Sequence, residues 1–207
     1  FAACPRPGGI RRSVAAIAAL ERSGIAPASV ENSILGQVLQ GGAGQNPARQ
    51  VALRAGIPRD IPAETINRVC GSGMRAVTLA ESLIRAGDYN VILAGGMESM
   101  SNAPYLLRQA RTGYRMGNGV LEDMMIGDGL CCAVAGVHMG IHGGNVAAEE
   151  EVTREEQDAW SLRSHQRAVA AQDSGRFERE IVPVEVPARG APVVVNQDEA
   201  PRRDTSA

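Results

Sequence analysis

The sequence predicts a layered α/β domain, and three observations predict it. Helix-patterned segments alternate with short apolar runs as far as about residue 97. Capping and stop residues punctuate the helix-patterned segments. Of the 207 residues, 44% are hydrophobic, with no long charged or low-complexity run to interrupt a core.

Taken in order, Val14, Ile17 and Leu20 recur at helical spacing within residues 13–22, and Gly24 follows as a stop. Residues 33–39 read as a strand. Asn46 before Pro47 is an N-cap followed by a first-turn proline; Val51 and Leu53 supply apolar contacts, and Gly56 ends this second helix. Residues 63–69 read as a strand entering a turn at Cys70. Met74, Val77, Leu79, Leu83 and Ile84 then predict a largely buried helix stopping at Gly87, and residues 89–94 predict a buried strand. No internal repeat stands out. After Gly95-Gly96 the composition shifts to Met, Ser, Asn, Arg and Gly, which predicts an extended excursion and a subdomain boundary near Ser101, dividing 1–100 from 101–207. Thr153 and Glu156 form a capping box for a helix carrying Ala159, Leu162, Val169 and Ala170, with Gly175 as its stop. Short strands are expected over 181–186 and 192–195.

A formal net charge of −2 with both signs interspersed offers no basic field for nucleic acid. No apolar stretch approaches the roughly 20 residues that a membrane span needs, and residues 1–12 lack the layout of a secretory signal. Four cysteines, two of them the adjacent Cys131 and Cys132, do not make a disulfide framework in a chain this long, so a reducing cytoplasm is expected. Phe1 is not an initiator methionine and residues 200–207 carry no capping pattern, so both ends are expected to be cut or unrecorded.

The chemistry centres on Cys70. It follows a strand-like run and precedes Gly71-Ser72-Gly73 and a helix. Unpaired amides and a partial positive charge at a helix N-terminus favour a thiolate there and can hold an oxyanion. Gly71 and Gly73 let a carbonyl approach the backbone closely, and Ser72 adds only a small hydroxyl. The arrangement suits acyl transfer through a thioester; the plainer reading is a small buried residue at a helix start.

The run Asn67-Arg-Val-Cys70-Gly-Ser-Gly73 closely resembles the nucleophile motif of the thiolase family, the acetyl-CoA acetyltransferases. Val91-Ile-Leu-Ala-Gly-Gly-Met-Glu-Ser-Met-Ser-Asn102 resembles the strand and turn that follow it. The likeness continues through Leu35-Gly-Gln-Val-Leu-Gln40, Gln45-Asn-Pro-Ala-Arg49, Gly113-Tyr-Arg-Met-Gly117, His138-Met-Gly140, Arg154-Glu-Glu-Gln-Asp158 and Glu180-Ile-Val-Pro-Val-Glu185, and weakens before about Val30. The resemblance implies a duplicated βαβαβαββ fold, of which this chain holds the N-terminal half with its inserted loop subdomain. It implies that Cys70 takes an acyl group from acetyl-CoA, acetoacetyl-CoA or another 3-ketoacyl-CoA, with the coenzyme A thioester as substrate and no further cofactor. It implies that Leu130, His138 and Met139 line the pantetheine and acyl pocket. It also implies a homo-oligomer, dimer or tetramer, with residues 113–117 in the loop that pairs dimers.

The family's second half supplies a Gly-His-Pro histidine, a second cysteine in a Gly-rich motif and an asparagine of an oxyanion hole. This sequence contains none of these, so the chain is expected to be the front half of a longer thiolase and not to turn over alone. The family's opening strand and Thr-Pro-x-Gly turn have no clear counterpart in residues 1–9. Half of a duplicated fold is also expected to expose the apolar face that packs on its twin, and so to aggregate or depend on a partner. A zinc site from Cys131, Cys132, His138 and His142 is disfavoured by the spacing, and Gly95-Gly96 lacks the rest of a dinucleotide fingerprint. The methionines are read as core filler or loop packing, and His165 as solvated. A noncatalytic assembly module and a ketoacyl synthase relative are the competing functional readings; Met97-Glu-Ser-Met-Ser101 and His138-Met-Gly140 argue against the latter.

Overall fold

The computed structural model describes residues 13–206. They belong to two compact units, one ending at His138 and the other starting at Met139. Expectations for residues 1–12, the missing opening strand among them, lie outside the described residues.

The first unit is built on a three-stranded parallel sheet of β1 (Asn32–Gly36), β2 (Ala63–Ile66) and β3 (Ile92–Gly96), in the order β2-β1-β3. α1 (Val14–Ser23) precedes it, α2 (Pro47–Arg54) joins β1 to β2, and α3 (Ser72–Ala86) joins β2 to β3. Consecutive residues of the central strand point to opposite faces of the sheet. Leu35 packs into a cluster with Leu20 of α1, Val30, and Val51 and Ala52 of α2. Ile34 packs on Ala76 and Ala80 of α3. Helices therefore cover both faces of β1, whose five residues are all buried. Each fully buried aliphatic side chain contributes about 1.5–3 kcal/mol.

The helix punctuation follows the sequence. Gly24 and Gly87 take left-handed conformations at the C-caps of α1 and α3. Asn46 Oδ1 accepts from the Arg49 amide at 3.3 Å, while its Nδ2 donates to the Ala63 carbonyl at 2.8 Å, so one side chain caps α2 and ties it to β2. The strands are shorter than predicted, for identifiable reasons. β1 stops at Gly36 because the Val38 and Leu39 amides donate to the Glu98 carboxylate instead of a ladder. β2 stops at Ile66, where Asn67 Oδ1 takes the Val69 amide. β3 starts only at Ile92 and is half-buried, the Asn90 and Val91 amides being held by Glu31.

α3 departs from its expected burial. Ser72, Ala76 and Ala80 are buried, but Met74 is 75% exposed, and Val77 and Ile84 are exposed beside it. The small residues bring the helix close to the sheet, Leu79 and Leu83 pack beside them on the same cluster, and Met74, Val77 and Ile84 face away from it.

Beyond β3 the first unit holds a short antiparallel pair, β4 (Tyr105–Leu106) with β5 (Glu122–Asp123), and a π-helix, Met125–Leu130. Of the methionines there, Met124 is buried as filler while Met116 is 95% exposed.

The second unit contains α4 (Met139–Glu149), α5 (Arg154–Asp173) and the antiparallel hairpin of β6 (Val184–Val186) and β7 (Val193–Val195). α5 begins in the expected capping box, with Thr153 and Glu156 each accepting the other's amide. β6 begins later than predicted because the Ile181 amide closes a turn onto the Phe177 carbonyl. His165, expected to be solvated, is half-buried and accepts from the Arg202 amide at 3.1 Å.

Candidate active site

Cys70 stands on the turn that leads from β2 into α3, at the carboxyl end of the parallel sheet, and is exposed. Open parallel sheets bind ligands at this edge. Val69 before it has φ 50°, a left-handed conformation that a β-branched residue adopts only under constraint. The constraint is visible. The Val69 amide donates to Asn67 Oδ1 at 2.8 Å, Ser72 Oγ donates to the Val69 carbonyl at 2.6 Å, and Ser72 Oγ accepts from the Arg68 amide at 2.8 Å. The motif Asn67 to Ser72 is thus a self-bonded elbow with the thiol on its crest.

Gly71 and Ser72 act first as turn formers. Their amides donate to the Arg68 and Val69 carbonyls at 3.2 and 3.0 Å, so both are engaged in this conformation. Gly73 serves close packing. A Cβ at Gly96 would lie 3.1 Å from the Gly73 Cα, and one at Gly36 would lie 2.3 Å from the Ser72 carbonyl carbon. Glycines at the ends of β1 and β3 therefore seat the first turn of α3 directly on the sheet edge, which fixes the elbow in space.

Leu130 closes the π-helix and is half-buried. That helix packs on the loop after β1: a Cβ at Gly129 would lie 3.3 Å from Leu39 Cδ2, and one at Gly41 would lie 2.4 Å from Met124 Sδ. The site thus has a continuous support from the sheet edge through the 37–41 loop to Leu130. His138 lies opposite Cys131 in a short antiparallel turn closed by the Cys132 amide donating to the Val137 carbonyl at 2.8 Å. Met139 is the first residue of α4, in the second unit. The amides of Ala135 and then Val134 hold the Cys132 thiol below its ordinary value. Among the described residues, no three His, Cys, Asp or Glu side chains converge as a metal site would require.

Neither the left-handed backbone of Val69 nor the partners of the Glu98 carboxylate are visible in the sequence. Glu98 lies inside the run that carries the family resemblance, but its partners are the Val38 and Leu39 amides about 60 residues upstream, which no local pattern reveals. Cavities of about 320 Å³ beside Ile17, Leu20 and Pro27 and about 500 Å³ beside Val152 and Trp160 lie elsewhere, and Cys70 lines neither.

A cysteine on a strained elbow between a parallel strand and a helix, seated by glycines on the sheet edge, is a candidate site on an α/β scaffold. Residues 12–207 match the thiolase N-terminal domain, and the chain belongs to that family. It is 54% identical over 191 residues to an acetyl-CoA acetyltransferase of Chromobacterium violaceum, covering 92% of this chain and 49% of that protein. A probable acetyl-CoA acetyltransferase of Escherichia coli is 48% identical over 190 residues, 92% of this chain and 48% of that protein. The crystal structure of the Bacillus anthracis acetyl-CoA acetyltransferase superposes with a TM-score of 0.89 at 38% identity, over 97% of this chain and 50% of that one. The fold is therefore the N-terminal half of a thiolase, as the motif resemblance implied. The chain spans about half the length of the curated relatives it matches.

Proposed function

We propose that the chain is the nucleophile-bearing half of an acetyl-CoA acetyltransferase. The observation that carries this reading is the exposed Cys70 thiol on a strained, hydrogen-bonded elbow at the carboxyl edge of the sheet. In the condensing direction the Cys70 thiolate attacks the thioester carbonyl of acetyl-CoA. An S–C bond forms, the bond from carbon to the coenzyme A sulfur breaks, and coenzyme A leaves as a thiolate that takes up a proton. In the cleaving direction the same sulfur attacks the keto carbon of acetoacetyl-CoA or another 3-ketoacyl-CoA: an S–C bond forms, the bond from the keto carbon to the α-carbon breaks, and the enolate of acetyl-CoA leaves and takes up a proton. Leu130 and His138 line the pantetheine arm and acyl group on this reading, as the family resemblance implies, and Gly71, Ser72 and Gly73 shape the elbow. With the Gly71 and Ser72 amides engaged in the turn, oxyanion support falls to the second half, where the family carries its asparagine.

Proton transfer by a positioned group is worth about 100- to 10,000-fold, and the family places those groups in its second half. The chain's own share is the first acyl transfer. Assembly into a dimer or tetramer of the complete enzyme, through the 113–117 loop, belongs to the same reading, as does a cytoplasmic location.

Intact-mass measurement after incubation with acetyl-CoA tests this. One acetyl group on Cys70, absent from Cys70→Ser, is expected; an unmodified chain contradicts it. The exposed row of Met74, Val77 and Ile84 on α3 gives the second reading, a noncatalytic half that assembles with another chain, its footing. A chain that binds its partner but takes no acetyl group would favour that reading.

A further inference from the structure

We propose that Glu98 is a positioning residue: its carboxylate sets the loop after β1 and, through Leu39, the placement of the Leu130 wall relative to Cys70. This rests on the reading of Cys70 as the acyl acceptor. Glu98 Oε2 accepts from the Val38 amide at 2.9 Å and Oε1 from the Leu39 amide at 3.2 Å, two consecutive donors on one carboxylate. Hydrogen bonds to an ionised acceptor are about twice as strong as neutral ones. The Met97 amide next to Glu98 donates to the Gly36 carbonyl at 2.9 Å, so the carboxylate issues from a point already pinned to the end of β1. From there the chain of contact is short. Leu39 is buried and lies against Gly129, Gly41 lies against the buried Met124, and Leu130 follows in the same π-helix. On its other side, Gly96 touches Gly73 at the base of the nucleophile elbow. One carboxylate thus joins the frame that holds the thiol to the loop that holds the pocket wall.

Glutamine at position 98 keeps the size but sets an NH2 donor where one of the two backbone amides needs an acceptor, and removes the charge from the bond that remains, so one amide is released. Two measurements on the 207-residue chain test the role. In hydrogen exchange, Glu98→Gln is expected to speed exchange about 10-fold at Val38 or Leu39 and across Met125–Leu130, with Arg75 unchanged. Unchanged exchange across Met125–Leu130 would overturn the proposal. In acylation of Cys70 at varied acetyl-CoA, the half-saturating concentration is expected to rise about 10-fold with the limiting rate held within about two-fold. A limiting rate that falls while half-saturation stays put would mean that Glu98 acts on the elbow, and would also overturn it. Should wild-type Cys70 take no acyl group, the functional reading fails on its own, and the exchange result alone decides the positioning role. Glu98→Asp, which keeps the charge with a shorter reach, is expected to give the same pattern at smaller amplitude if the glutamine variant loses its fold, and equal exchange to wild type there would overturn the proposal.

Discussion

Val69 and Gly36 show how single residues hold the site. Val69 accepts a left-handed backbone because Asn67 and Ser72 bond its amide and carbonyl, and that bend lifts Cys70 to the surface. Gly36 faces the Ser72 carbonyl carbon so closely that any Cβ there would sit 2.3 Å away, against backbone that has no side-chain freedom to yield. Gly36→Ala is expected to cost about 1–3 kcal/mol of stability, the range of overpacking, measured as a lowered urea midpoint. It should also slow acylation of Cys70, because relief of the clash moves the elbow. A midpoint equal to wild type would show that α3 sits less firmly on the sheet edge than the contact implies. The motif around Cys70 was legible as chemistry from its residue types, but its strain was not: a positive φ at valine depends on three hydrogen bonds that form only once the turn has closed.

At the scale of elements, local chemistry was readable and distant chemistry was not. The Thr153–Glu156 capping box, the Asn46 cap and the glycine stops at 24 and 87 act within one turn of their helices, so the sequence displays them. The end of β1 and the start of β3 were misjudged because carboxylates from elsewhere in the chain set them. Glu31 takes the Asn90 and Val91 amides where β3 would otherwise begin, and Glu98 takes those where β1 would otherwise continue. The Asn90 amide first, then the Val91 amide and the Asn90 side chain, hold the Glu31 carboxyl below its ordinary value of 4.5. A carboxyl depressed on folding adds stability that is fully present above its unfolded value and is lost as pH falls through the folded one. Stability of the chain is therefore expected to decline as pH drops below about 4.5, with Glu31→Gln less stable at neutral pH and flatter over the acid range. Thermal melts at pH 7 and at stepwise lower pH check this; equal acid slopes for variant and wild type would remove Glu31 from the account. The outward face of α3 was misread for a related reason: its apolar count was right, but small residues took the sheet side and left Met74, Val77 and Ile84 outside.

For the molecule as a whole, that exposed row and the half-length match to its relatives carry one consequence. Apolar side chains left outside at Met74, Val77 and Ile84 favour association, so light scattering on the isolated chain is expected to show species heavier than a monomer, reduced by Val77→Glu. A monodisperse monomer at high concentration would show that the face is tolerated in water. The fold was within reach of sequence because the motif is local and specific; Leu130, His138 and Met139 were harder to relate to Cys70 from sequence, since they stand on separate elements, the π-helix, a short turn and the start of α4. The most direct measurement of the central claim is the amount of free coenzyme A released when the chain is mixed with acetyl-CoA. One equivalent per chain, released once without turnover and absent from Cys70→Ala, is the result predicted for a thiol that takes the acyl group and then waits for groups it does not itself carry. Release no greater than that of Cys70→Ala would contradict it.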